Sequence, residues 1–206
     1  MAVDAREGAL PGRVPSIDLE ELALSFAGRS DVAELWERLQ AGEQITAPRD
    51  RVLVLLAESR AHERGGRFDL AAAMATTALE LAEASADAEG AAGGLSHLAY
   101  AKYRMGLLEE ATKLAEQALA HGAPHAHTVT ALLVLGLIAL DACRWEEARE
   151  RFTTARAWSI EVGYRFGVML ALHNLSVVYF HTGRFDLADA AAADVGRLNA
   201  EPTSGQ

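Results

Sequence analysis

The chain has 206 residues, half of them hydrophobic and only 6% aromatic, and its formal net charge is −10. This apolar content excludes a disordered chain, and the acidic balance argues against nucleic-acid binding because the chain as a whole repels phosphate. A single cysteine, Cys143, excludes an internal disulfide and fits a reducing compartment. The N-terminus lacks the apolar core of a signal peptide, and the longest apolar run, 131–140, is too short to span a membrane. We therefore expect a cytoplasmic protein without a membrane segment.

The N-terminal region predicts a disordered stretch followed by a degenerate helix pair. Residues 1–15 are rich in Pro, Gly and small side chains, which is typical of a disordered terminus. Residues 16–45 have the pattern of two helices, with Ser16 and Ser30 as candidate N-caps. We expect this pair to cover one end of the fold.

Apolar residues spaced three and four apart predict eight further helices. In chain order these are 49–64, 68–84, 91–104, 107–120, 126–142, 145–161, 165–182 and 185–199. Pro48 and Pro124 are typical of first turns. The Gly-rich run 90–94 lacks the lysine of a phosphate-binding loop and is predicted to be a flexible turn, and 200–206 is predicted to be a flexible tail.

Four of the turns between these helices share one residue pattern. Each has a small residue, a bulky apolar residue two positions later, an acidic residue next and alanine at the sixth position, beginning at Gly66, Gly106, Cys143 and Gly183. These turns follow one another at nearly equal intervals along the chain, and a fainter copy begins at Gly28. We therefore expect one domain, 16–199, with repeats at about 47–85, 88–122, 124–162 and 164–199.

The pattern has a physical interpretation. Glycine at the turn permits a positive φ, which closes the first helix of a pair. The bulky residues, Phe68, Leu108, Trp145 and Phe185, are expected to wedge between neighbouring helices. Small residues let helix backbones approach where pairs cross, and one pair alone cannot bury its apolar face, so the pairs must stack.

These segments resemble tetratricopeptide repeats over roughly residues 49–199. The third copy has Leu135 and Gly136 at the family's Leu-Gly position, and the fourth has Tyr179 at its aromatic position. The resemblance implies an all-α, right-handed α-solenoid of stacked antiparallel helix pairs. The units are longer than the family's usual 34 or so residues, and in this they are similar to the helical-repeat regions of large bacterial regulators.

The resemblance implies that the first helix of each pair lines a concave binding groove. Its inward positions would be Arg60, His97, Tyr100, Tyr103, Arg104, Leu137, His173, Asn174, Val177 and Phe180. Asn174 falls where family members often use asparagine to grip a peptide backbone, and Tyr and Arg are frequent interface anchors. We therefore expect a non-catalytic protein- or peptide-binding scaffold, within or beside a bacterial regulator.

Two other hypotheses stay open. In the first, the chain is the small-molecule effector-sensing domain of a transcriptional regulator, with the effector among His97, Tyr100, Leu137 and His173. In the second, the last helix forms a homodimer, because no polar capping helix follows it.

The sequence has no motif for catalysis, a cofactor or a metal. His121, His125 and His127 are predicted to lie in a solvated loop, since residues two apart on a helix face different directions. The acidic pairs Glu109–Glu110 and Glu146–Glu147 fall in first turns, where negative charge favours the helix dipole. We therefore expect neither an enzyme nor a metal or cofactor protein.

Overall fold

The computed structural model of the chain describes residues 34–35, 37–39, 41–122 and 125–200, and within these ranges every regular element is a helix. After helical residues at 34–35 and 37–39 come eight helices: α1 (Pro48–Arg64), α2 (Phe68–Ala84), α3 (Ala88–Arg104), α4 (Leu108–Ala120), α5 (Ala126–Asp141), α6 (Trp145–Glu161), α7 (Arg165–His181) and α8 (Phe185–Ala200). Pro48 lies in the first turn of α1, as predicted. The predictions for Ser16, Ser30, Pro124 and residues 201–206 lie outside the described residues.

The helices pack as a solenoid. Each helix contacts the next one along the chain, and the first helices of successive pairs, α1, α3, α5 and α7, contact one another in series. The buried residues accordingly form several clusters distributed along the stack, with one around Val52 and Ala78, one around Ala115 and Val134, and one around Phe152. The all-α solenoid expected from the repeats is confirmed.

The four repeated turns share one backbone conformation. Gly66, Gly106, Cys143 and Gly183 have φ values of 68°, 78°, 55° and 74°. In each turn the next residue donates its N–H to a carbonyl five residues earlier, as in Arg144 to Ala139 at 2.8 Å. This hydrogen bond is typical of helices that end at a residue with a left-handed backbone. The small residue at each turn therefore ends the first helix of the pair, as predicted.

Cys143 is the non-glycine residue among the four left-handed turn positions. Its replacement by glycine therefore measures the energetic cost of this backbone conformation. A left-handed backbone costs an L-residue about 1–2 kcal/mol, whereas glycine's flexibility in the unfolded chain costs about 0.4–1 kcal/mol. We expect Cys143→Gly to raise the free energy of unfolding by about 0.5–1 kcal/mol in urea denaturation. Cys143→Ser keeps the side chain and is the control, so a glycine variant no more stable than the serine variant would contradict this account.

The Gly-rich run 90–94 is not a turn; this prediction was wrong. The run lies inside α3, which begins at Ala88 because the Asp87 side chain accepts a hydrogen bond from the Gly90 N–H at 3.0 Å. A Cβ at Gly94 would lie 2.8 Å from Leu79 Cβ of α2, and one at Gly93 would lie 2.6 Å from Leu56 of α1. The glycines therefore let α3 approach two helices at once.

The expected wedging of the bulky turn residues is wrong for Leu108 and Phe185, whereas Phe68 and Trp145 are half-buried and Trp145 packs against the cluster around Phe152. Leu108 is 41% exposed and Phe185 is 58% exposed, whereas alanines of the same motif, Ala111 and Ala148, have no exposed surface. The close helix crossing is thus made by the alanine, and at two of the four turns the bulky residue stays near the surface.

The stack repeats itself every two pairs. The hairpin of α2 and α3 has the same helix lengths and the same turn length as the hairpin of α6 and α7, whereas α4, which lies between them, has only 13 residues. Aligning the two hairpins places Phe68 on Trp145 at the start of the first helix and Ala88 on Arg165 at the start of the second. Positions matched by this alignment occupy the same place within their helices.

Candidate interaction surface

Aromatic and basic side chains gather where α3 ends. The guanidinium of Arg104 lies 4.5 Å from the centre of the Phe68 ring and donates a hydrogen bond of 2.9 Å to the Tyr100 hydroxyl. The Tyr100 and Tyr103 rings are 6.4 Å apart. We call Phe68, Tyr100, Tyr103 and Arg104 the first edge cluster. Its cation is held over aromatic faces at the surface.

The equivalent positions of the later hairpin form a second cluster. His181, the counterpart of Arg104, stacks on Trp145, the counterpart of Phe68, with ring centres 4.9 Å apart and 10° between the planes. Phe180 packs edge-on against Phe185 at 5.6 Å. We call Trp145, Phe180, His181 and Phe185 the second edge cluster. Both clusters lie at helix-hairpin turns because their members are near the end of a first helix or at the beginning of a second helix.

Tyr103 also ties α3 to α5. Its hydroxyl donates a hydrogen bond of 2.8 Å to Oδ2 of Asp141, the last residue of α5. Burial and this bond to a carboxylate together raise the pKa of Tyr103 from 10.0 to about 12. The neutral phenol is thus the form that the fold favours.

The raised pKa of Tyr103 predicts how the stability of the fold changes at alkaline pH. The contribution of Tyr103 to stability is fully present below pH 10, where an unfolded chain would also hold the proton, and is lost as pH rises through 12. We expect an ultraviolet titration of tyrosinate to show a step near pH 12 that Tyr103→Phe removes. At neutral pH we expect the same substitution to cost about 0.5–1 kcal/mol. A titration curve unchanged by Tyr103→Phe would refute the assignment.

The Arg60 side chain connects two first helices that are far apart in the chain. Its guanidinium donates a hydrogen bond of 3.1 Å to the hydroxyl of Tyr164, 104 residues away, and lies 5.1 Å from the centre of the Phe166 ring. This contact joins α1 to the beginning of α7, so the first and fourth pairs approach each other on the side formed by the first helices.

His97 is a buried histidine of α3. It is 3% exposed, and its Nδ1 is 2.8 Å from Oε1 of Glu63. Next to it lies His127, which is 4% exposed, with the two ring centres 6.2 Å apart. The cavity between them and Arg60 has a volume of about 10 Å³, which is about the space of one water molecule.

The expected solvated histidine loop is therefore only partly correct. His121 is exposed, but His127 is buried in the first turn of α5. His125 caps this helix, since its Nδ1 accepts a hydrogen bond of 3.3 Å from the Thr128 N–H. His125 and His127 are therefore part of the beginning of a helix, although the sequence analysis had predicted a loop for both.

The remaining predicted groove residues lie on α5 and α7. Leu137 and Val177 are half-buried, and Leu137 packs against the cluster around Phe152. His173 is exposed, and the Asn174 amide donates a hydrogen bond of 2.8 Å to the Leu170 carbonyl of its own helix.

The structure thus groups Tyr100, Tyr103 and Arg104 in one cluster and places Phe180 in the other. The sequence analysis missed Phe68, Trp145 and Phe185 as surface candidates. All three are bulky residues of the repeated motif, and this repetition was the signal that could have identified them.

Two kinds of site are absent from the described part of the chain. No group of three His, Cys, Asp or Glu side chains in these ranges could hold a metal ion. No described helix combines the length and apolar character needed to cross a bilayer. Cys143 is an exposed thiol at a turn.

Comparison with known proteins agrees with the repeat pattern. Residues 127–195 match the model of the tetratricopeptide repeat family. The fold is similar to the crystal structure of BtubC (BKLC) from P. vanneervenii, with a TM-score of 0.59 and 19% sequence identity over 92% of this chain and 79% of that one. At this identity the likeness concerns the fold. No curated protein matches the chain. The matched segment covers about a third of the chain, from α5 into α8, and the helix pairs that precede it belong to the same continuous stack.

Proposed function

We propose that the chain is a non-catalytic scaffold that binds a peptide segment of a partner protein through the two edge clusters and the concave residues between them. The observation that carries this proposal is the pair of equivalent aromatic clusters at the ends of α3 and α7. Tyr, Trp and Arg dominate the binding energy of protein interfaces, and large exposed apolar patches mark interaction sites. In the second cluster, Phe180 and Phe185 are 62% and 58% exposed, and Leu187 beside them is 47% exposed.

The clusters are suited to binding because their side chains are already positioned. Arg104 is held by Phe68 and Tyr100, and His181 is held by Trp145. Less side-chain entropy is then lost when a partner docks than for mobile surface residues.

The concave residues have different parts in this proposal. His173, Asn174 and Val177 of α7 and Leu137 of α5 would line the path of the peptide. Arg60 and His97 would act as positioning residues, because Arg60 joins α1 to Tyr164 and His97 is buried against Glu63. The proposed place within or beside a bacterial regulator is supported by the longer repeat unit alone.

Peptide display on the purified chain tests the proposal. We expect Tyr100→Ala/Arg104→Ala to weaken selected peptides at least about tenfold, because each residue is a candidate anchor worth more than about 1 kcal/mol. Phe180→Ala/Phe185→Ala tests the second cluster in the same way. The matched control is Glu80→Ala/Glu116→Ala, which changes exposed residues of α2 and α4.

Thermal unfolding separates a lost contact from a lost fold. The Phe180→Ala/Phe185→Ala variant should unfold at nearly the wild-type temperature, because both side chains are exposed. Tyr100 is half-buried against the core cluster around Ala115 and Val134, so the Tyr100→Ala/Arg104→Ala variant should unfold at a lower temperature but remain folded under the conditions of the binding assay. If a selected peptide bound both cluster variants with wild-type affinity, the proposal would be wrong.

The effector-sensing hypothesis finds less support at its predicted place. The cavity beside His97 has a volume of only about 10 Å³, whereas pockets for small ligands usually have about 300 Å³ or more. A ligand among His97, Tyr100, Leu137 and His173 would therefore require the first helices to separate.

A further inference from the structure

We propose that the cleft between α6, α7 and α8 binds a small organic anion, with one carboxylate on an apolar body, independently of the edge clusters. The cleft has a volume of about 440 Å³, which lies within the usual range for small-ligand sites. None of its lining residues belongs to either edge cluster.

The charge of the cleft points to an anion. Each of the three helices contributes one arginine to the lining, Arg156, Arg165 and Arg197. Asp194 is the acidic residue among the lining side chains, which leaves a formal charge of +2 in a chain whose net charge is −10. Arginine is permanently charged and presents a planar fork of donors that matches a carboxylate.

Two of the three arginines have protein partners, which fix their positions in the cleft. The Arg165 guanidinium donates to the Leu198 carbonyl in the last turn of α8, and Arg197 forms an ion pair with Asp194. Arg165 and Arg197 would attract the ligand carboxylate through their charge, and Arg156 would bind it directly. Arg156 is exposed on α6 and is the residue whose replacement disturbs the fold least.

The apolar residues that line the cleft indicate that the ligand also has an apolar body. Leu172 is 4% exposed, Val168 is half-buried, and Ile160 is 59% exposed. A hydrocarbon chain lying over these residues would bury apolar surface while its carboxylate reaches the arginines. Burial is worth about 25 cal/mol per Å² of apolar surface.

The repeat architecture does not require these arginines. When the alignment of the two hairpins is continued along the chain, the equivalent positions in the first half of the stack are Leu79, Ala88 and Ala120. That half forms the same helix hairpin without a cation at any of them. Packing accounts for Arg165 through its contact with Leu198 but not for the exposed Arg156, and a bound anion would account for all three arginines at one cleft.

Calorimetric titration of the full chain with octanoate tests the inference. Octanol is the uncharged control for the carboxylate, and inorganic phosphate is the control for an anion without an apolar body. We expect saturable binding of one octanoate, weaker in higher salt. Both controls should bind about tenfold more weakly or worse, because octanol lacks the charged hydrogen bonds of the carboxylate and phosphate lacks the apolar surface to bury.

The variants give a graded expectation. Octanoate affinity should fall from wild type to Arg156→Gln and further to Arg156→Glu, while Arg151→Gln on the same helix, outside the cleft lining, should bind as wild type does. Equal affinity for octanol and octanoate, phosphate binding as tight as octanoate binding, no saturable octanoate binding, or unchanged affinity in Arg156→Glu would each overturn the inference. The edge-cluster variants should bind octanoate normally, so this result is independent of the proposed peptide binding.

Discussion

Phe152→Ala is expected to lower the free energy of unfolding by about 3–5 kcal/mol. Phe152 has no exposed surface and is the largest fully buried side chain in the described part of the chain. It lies in the cluster with Val129, Ala148 and Leu175, contributed by α5, α6 and α7, so the cavity would weaken three helices together. Urea denaturation monitored by circular dichroism would measure the change.

The matched control for this variant is Phe180→Ala, which removes the same side chain from a site that is 62% exposed. Its cost should be within about 0.5 kcal/mol, as is usual for surface substitutions. A Phe152→Ala variant as stable as Phe180→Ala would mean that the third and fourth pairs do not pack as described.

Phe152 also explains the glycine at position 136. A Cβ on Gly136 of α5 would lie 2.5 Å from the Phe152 ring. Gly136→Ala should therefore destabilise the wild type by about 1–3 kcal/mol through overpacking. It should cost much less in the Phe152→Ala background, because the ring is absent there. The two changes are in contact, and a double-mutant cycle should show this coupling.

Gly94→Ala is the second substitution with a large expected effect. A Cβ at this position would lie 2.9 Å from both Cα and N of Leu79, and backbone atoms in the middle of α2 cannot move aside as a flexible side chain does. Alanine is the better helix former by about 1 kcal/mol, but the overpacking cost of about 1–3 kcal/mol exceeds that gain. We expect a net loss of about 1–2 kcal/mol in thermal or urea unfolding.

Gly196→Ala is the control for helix propensity. Gly196 lies in α8, and a Cβ there would meet no atom within 4 Å. The same substitution should therefore stabilise this helix by up to about 1 kcal/mol. Opposite signs at the two positions would confirm that close helix packing, and not glycine flexibility, is the reason for Gly94. A stabilising Gly94→Ala would contradict the packing of α3 on α2.

Local sequence patterns determined the helices and the turns between them. The spacing of apolar residues along 145–161 and the motif at Cys143 describe interactions within a few residues, and such interactions form in much the same way wherever the segment lies in the fold. For this reason α2, α6 and the left-handed turns were predicted closely, including Cys143 in place of glycine. Repetition of the motif then implied stacking, because an isolated helix pair leaves its apolar face in water.

Only the tertiary structure decided which residues reach the surface. The sequence predicted a turn at Gly94, but the structure places this residue in a helix that packs closely against Leu79 of another helix. The sequence placed His97 in the groove, but the structure buries it against Glu63 and His127. The contact of Arg60 with Tyr164 spans 104 residues, and no local pattern records it. Burial depends on the distance and tilt between helices, which arise from the sum of many side-chain contacts along the stack. The edge clusters and the arginine-lined cleft are products of that stacking, and so they became visible only in three dimensions.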